Sequence, residues 1–221
     1  MRCLNLPYDD ASPLKILCLG AHSDDIEIGC GATILRLLQD YPNCVFHWVV
    51  FSALGVRAAE AQHAAALFAG TSIAGGPLLN SFKDGFMPFV GAEVKTVFEE
   101  LKQAVSPDLI FTHNRRDSHQ DHRLLAELTW NTFRDHLILE YEIPKYDGDM
   151  GQPSVFVPFS SEVCENKIRY IMEAFPSQHP KRWFQPETFR SLMRLRGMEC
   201  NANSGYAEAF FCRKMVLGTE K

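Results

Sequence analysis

The sequence predicts an α/β fold: a mostly parallel sheet flanked by helices, in a single domain over residues 1–221 whose C-terminal part is irregular. Three observations lead there. Short apolar runs without polar alternation, such as Ile16-Leu17-Cys18-Leu19-Gly20-Ala21, alternate with stretches of helical periodicity up to about residue 135; unbroken runs of this kind belong to strands buried on both faces of a parallel sheet. A chain of 221 residues is long enough to bury a substantial core as one unit. Finally, His and Asp crowd directly behind two of the runs, where a Rossmann-like sheet opens its ligand crevice at the carboxyl ends of the strands.

Residues 1–13 read as an irregular lead-in and 15–21 as the first strand. From about Gly29 to Asp40, Ile34, Leu35, Leu37 and Leu38 suit an amphipathic helix that stops near Tyr41-Pro42-Asn43. Residues 45–51, β-branched and aromatic, form a second buried strand. Alanine-rich 57–69 is a helix closed by Gly70. Gly75-Gly76-Pro77 and Lys83-Asp84-Gly85 are loops around the short apolar piece Leu78-Leu79. Residues 92–105 place Val94, Val97, Phe98 and Leu101 on one helical face, and Ser106-Pro107 ends the pattern. A strand at 108–112 and a helix at 121–133 follow. Beyond them come strands at 137–141 and 155–157, helices at 162–174 and 186–196, and a last strand at 207–216. The Pro/Gly/Asp-rich loop 144–153 is a candidate rim or oligomer contact.

Composition narrows the function classes. The apolar fraction is 46%, the charged fraction 22%, and the net charge −5. Polyanion binders carry a basic face, so nucleic acid is not the expected partner; the pairs Arg115-Arg116 and Lys181-Arg182 suit one anionic group on a small substrate or, equally, a solvated surface. Seven scattered cysteines without a Cys-x-x-Cys read as free thiols of a reducing compartment. The start lacks a basic-then-apolar signal layout, and no run reaches the roughly 20 apolar residues of a membrane span. The expectation is a soluble cytoplasmic protein without membrane insertion.

Two stretches carry the chemistry. Ala21-His22-Ser23-Asp24-Asp25 follows the first strand, and His119-Gln120-Asp121-His122 follows Leu109-Ile110-Phe111. Zinc accepts His nitrogen and carboxylate oxygen, and a catalytic site keeps three protein ligands and an open position. His22 and Asp25, across a tight turn, can supply two ligands and His122 the third. Asp24, His119 and Asp121 then surround the ion: Asp24 as general base, His119 as hydrogen-bond donor to a developing oxyanion, and Asp121 as the group orienting an imidazole, that of His119 first. Any one of these residues alone reads as a cap or a solvated side chain; six at two strand ends read as a site.

The first stretch, with Gly29, resembles the Ala-His-Pro-Asp-Asp-x-x-x-Gly motif of PIG-L/LmbE-type zinc-dependent N-deacetylases, and the second matches that family's His-x-Asp-His. Arg57, Glu60, Ala64-Ala65, Ser177-Gln178 and Tyr206-Ala207-Glu208-Ala209-Phe210 extend the resemblance over most of the chain. It implies removal of acetyl from an N-acetylglucosamine-type compound, with His22, Asp25 and His122 as Zn2+ ligands (Fe2+ being the alternative ion), Asp24 as base, His119 as oxyanion partner, Asp121 behind, and Arg57 in contact with substrate. A salt bridge from Arg57 to Glu60 is the structural alternative for that residue. Relatives often assemble, so a homo-oligomer is in view. Two departures stand out: Ser23 replaces the family's usual proline, and the stretch from Ser52 to Arg57 is short.

The rival reading is a non-catalytic metal- or nucleotide-sugar-binding protein of Rossmann-like fold. Gly29-x-Gly31 hints at it, but Ile34 occupies the third glycine position and the acidic turn puts negative charge where a pyrophosphate belongs.

Overall fold

In the computed structural model, which describes Cys3, Leu6 and residues 12–216, the first apolar run forms strand β1 (Lys15–His22). Ile16 and Cys18 point into one core, Leu17, Leu19 and Ala21 into another. Neither face has room for a polar residue, hence the missing alternation. Strand β2 (Val45–Ser52) divides the same way, Phe46, Trp48 and Val50 against Val49 and Phe51. With β3 (Leu78–Leu79), β4 (Leu109–His113), β5 (Leu137–Tyr141), β6 (Val155–Pro158) and β7 (Ala207–Cys212) they make one sheet of order β3-β2-β1-β4-β5-β7-β6. All pairs from β3 to β5 are parallel, while β7 runs antiparallel to both β5 and β6.

Among the described residues six α-helices cover the sheet: α1 (Asp25–Asp40), α2 (Val56–Phe68), α3 (Gly91–Ala104), α4 (Gln120–Thr132), α5 (Ser161–Ala174) and α6 (Pro186–Glu199). Phe68, Ile171 and Phe189 belong to the core shared by α1, α2, α5 and α6; Phe98 and Leu125 belong to the one under α3 and α4. The chain steps outward from β1 to β2 and β3, then crosses back to lay β4 on the other side of β1. In open α/β sheets ligands bind at such a reversal, outside the carboxyl ends of the strands; here these are β1 and β4, the two strands behind which the His/Asp stretches lie.

The structure corrects several boundaries. Helix α1 begins at Asp25, not near Gly29, so both glycines are inside it. They are there for space: a Cβ on Gly29 would stand 2.2 Å from the Tyr141 ring, and one on Gly31 2.6 Å from that of Phe68. Between them Cys30 leaves helical geometry (φ −141°). The break is held from afar. Glu208 of β7 accepts the amide protons of Ala32 and Thr33 (2.9 and 2.7 Å), and the Lys167 ammonium of α5 donates to the Ile28 carbonyl (2.6 Å) and to Glu208. The last strand stops at Cys212 rather than Val216, where its pairing with β5 ends at Leu139. Strand β4 runs one residue further than expected and takes in His113. Most of the lead-in, 1–13, is outside the described residues, among which no helix is long and apolar enough to cross a membrane.

Candidate active site

His22 is the last residue of β1 and Asp25 the first of α1, so the two-residue turn between them folds the Asp25 carboxylate back onto the His22 backbone N–H (2.6 Å). His122 is in the first turn of α4, which starts beside it because β4 and β1 are neighbours. Three donor atoms meet: His22 Nδ1, His122 Nε2 and Asp25 Oδ2, separated by 3.1, 3.3 and 3.5 Å. Three ligands about 2.0–2.1 Å from a tetrahedral ion are about 3.3 Å apart, so the triangle has the size of a face of a zinc coordination shell.

The other ring nitrogens are anchored. His22 Nε2 is 3.0 Å from Asp84 Oδ1 and 3.3 Å from Asp121 Oδ2, and His122 Nδ1 is 2.9 Å from Asp117 Oδ2. A carboxylate on the outer nitrogen fixes the tautomer whose inner nitrogen has a free lone pair, the usual support of a metal-binding histidine. The surroundings favour a cation. Burial by itself lowers an imidazole pKa, but Asp25, Asp121 and Asp84 outweigh it and raise that of His22 well above its ordinary value. Burial likewise opposes the charge on Asp25, yet His122, His113 and His22 hold its pKa well below the carboxylate range. At His122 burial prevails and favours the neutral, ligating form.

Asp24, the residue before α1, is buried and ion-paired through Oδ1 with the Arg57 guanidinium (2.6 Å). Burial raises its pKa, Asp25 adds to the rise, and Arg57 opposes it. Arg57 also meets Glu60 (2.7 Å), the alternative the sequence offered, and its guanidinium carbon is 5.3 Å from the centre of the Phe175 ring. Glu60 in turn accepts the Ser177 amide and hydroxyl protons (2.8 and 2.7 Å). Ser177 comes from the 3-10 turn Pro176–Gln178, far along the chain.

His119 caps α4, its Nδ1 accepting the Asp121 N–H at 3.3 Å. The ring proton is therefore on Nε2. Burial, then His122 and His22, lower the His119 pKa and keep it neutral. Its ring is 4.8 Å from that of His22 and 4.6 Å from that of His122, centre to centre. Asp121 departs from expectation. Its carboxylate is within 4.8 Å of a His119 ring nitrogen, but its hydrogen bonds go elsewhere: it accepts the Gly85 and Met87 amide protons (2.7 and 3.2 Å) and faces His22. The reason is the helix: His119 points back over the first turn as a cap, whereas Asp121 looks toward the 85–87 loop.

Sequence reasoning gave no site role to Asp84, which holds His22 Nε2, nor to two residues beside the second stretch. His113, fully buried at the end of β4, sets Nε2 3.2 Å from Asp25 Oδ2 and stacks on His122 at 3.9 Å. Asp117 anchors His122 as described and also accepts the His119 N–H (2.8 Å). Both are in the polar stretch that follows the apolar run of β4, and only that position hinted at them.

A family model described as PIG-L, GlcNAc-PI de-N-acetylase, matches residues 17–133, which contain both His/Asp stretches. Solved structures share the fold. A conserved protein from Thermus thermophilus superposes with a TM-score of 0.74 at 20% identity, covering 93% of this chain and 97% of that one. An N,N'-diacetylchitobiose deacetylase from Pyrococcus horikoshii gives 0.69 at 20% identity over 91% and 84%. The 4-carboxy-2-hydroxymuconate hydratase of Pseudomonas putida gives 0.68 at 16% identity over 94% and 99%. No curated protein matches the sequence significantly.

Proposed function

The chain belongs to the PIG-L family, and from that premise we propose that it hydrolyses the acetamide of an N-acetylated amino sugar or its conjugate, with a divalent metal held by His22, Asp25 and His122. The donor triangle with both outer imidazole nitrogens anchored on carboxylates carries this reading. When bound, the ion supplies Lewis acidity, lowering the pKa of water to about 7 and polarising the acetamide carbonyl. Zinc fits the two nitrogens and one oxygen; iron(II) takes the same set.

The chain's own groups do the rest. Asp24, with Oδ1 fixed by Arg57 and its proton affinity raised by burial, is the base that takes a proton from the attacking water. His119 holds its proton on Nε2 and stays neutral, so it donates a hydrogen bond to the oxygen on which charge develops. Asp121 positions His22. Arg57 borders the same space, where a sugar hydroxyl or an anionic group would share it with Asp24. Acetate and the free amine are the products.

The fold does not select this chemistry alone, since a hydratase shares it. Acetate release across a panel of N-acetylated sugars, nucleotide sugars and glycosides, with metal analysis of the same sample, tests the reading. Asp24→Ala is expected to keep its metal and lose activity by about 10²–10⁴-fold, and His22→Ala to lose both. A non-catalytic binding protein would release no acetate from any member of the panel, and full activity in His22→Ala would refute the site.

A further inference from the structure

We propose that the loop after β5 belongs to the metal centre: Asp149 and Lys145 clamp Asp117, and through it hold the ligand His122 and the backbone of His119 in place. The inference rests on the metal reading above, and nothing in the sequence motifs touches this loop.

Asp117 is a node between two functions. Its Oδ2 accepts from His122 Nδ1 (2.9 Å), and its Oδ1 accepts from the His119 N–H (2.8 Å). The same Oδ1 receives the Lys145 ammonium at 3.0 Å. Lys145 is shared with Asp149, both of whose oxygens are 2.8 Å away. Asp149 then returns to the metal-side loop by accepting the Ser118 N–H (2.5 Å). The clamp thus grips the 117–119 turn at two points, the Asp117 side chain and the Ser118 amide, from a loop carried by the neighbouring strand. Lys145 and Asp149 are nearly buried, at 10% and 12% side-chain exposure, so these contacts are sheltered from solvent screening.

Outer partners of metal-binding histidines set ring orientation and donor strength, and losing one costs about 10–100-fold in metal affinity. Asp149→Asn gives an unambiguous sign. It leaves the Lys145 charge uncompensated beside Asp117 and makes Lys145 and the Ser118 amide share one neutral oxygen, and each change loosens the support of His122. Asp149 touches no ligand, so its effect reaches the metal through the 117–119 turn, chiefly through Lys145 and Asp117 and secondarily through the Ser118 amide.

The test is a double-mutant cycle read as zinc affinity by chelator competition on the full chain, with melting of each metal-free protein as the folding control. Asp117→Asn is expected to weaken zinc about tenfold or more and Asp149→Asn about threefold or more, with little further loss when the two are combined. An unchanged affinity in Asp117→Asn overturns the proposal. So does an Asp149→Asn that costs nothing, or the same factor in both backgrounds. If Asp117→Asn fails to fold, Asp149→Asn with wild-type affinity still refutes the clamp. A wild-type protein that binds neither zinc nor iron(II) removes the metal reading and this inference with it, whereas normal binding in wild type and variants removes the clamp alone.

Discussion

His22 and His122 both turn one nitrogen inward and tie the other to carboxylates from other parts of the chain, Asp84 of a loop and Asp121 of the first turn of α4 for the first and Asp117 for the second. Which residues face inward was legible as local spacing, because a turn or a helix start fixes the neighbours of His22 and His122 whatever the rest of the chain does. The outer partners were not. Asp121 was expected behind His119 and stands behind His22, because the side chain follows the helix start and the 85–87 amides rather than sequence proximity. At this scale His119→Ala separates catalysis from metal binding. Removing one oxyanion donor is expected to lower kcat by about 10²–10³-fold while bound metal, measured by elemental analysis, stays at the wild-type level.

The element that matters most is the first turn of α1, and two features at its flanks fix it. Gly29 lets the Tyr141 ring approach the helix backbone. Gly29→Ala is expected to cost about 1–3 kcal/mol in a denaturant melt and to weaken metal binding, since the displaced turn carries Asp25. On the other flank, Ser177, Glu60 and Arg57 form a chain that ends on Asp24. Burial works against the Glu60 charge, but the Ser177 amide and hydroxyl and Arg57 outweigh it and lower its pKa. A lowered carboxylate pKa gives stability that is complete above the unfolded value near 4.5 and lost as pH falls through the folded one. Glu60→Gln is therefore expected to be less stable than wild type by about 1–3 kcal/mol at pH 7, and the gap should close as pH drops below about 4. A gap independent of pH would show that the charge is not what holds the latch.

In the whole molecule the candidate site joins two segments almost a hundred residues apart across the β1/β4 reversal. A metal there ties the β1–α1 turn to the β4–α4 turn and binds only the folded chain. At a free concentration about a hundredfold above Kd it should stabilise the fold by about 2.7 kcal/mol, a rise in Tm of about 5–10 °C for a domain of this size. Chelator treatment should reverse it in calorimetry, and an identical Tm with and without metal would argue against a native site.

The sequence by itself determined the mostly parallel α/β architecture and the six polar residues at two strand ends. Apolar periodicity is a local record of burial on one face or two, and a strand-to-helix turn needs only its own few residues. It also determined the family through motifs that are contiguous in the chain. Tertiary structure alone decided the antiparallel β7–β6 edge, the held break in α1 at Cys30, and the partners His113, Asp117, Lys145, Asp149 and Ser177. Those choices depend on which distant segments come side by side once the core has closed, and no stretch of sequence holds both members of such a pair.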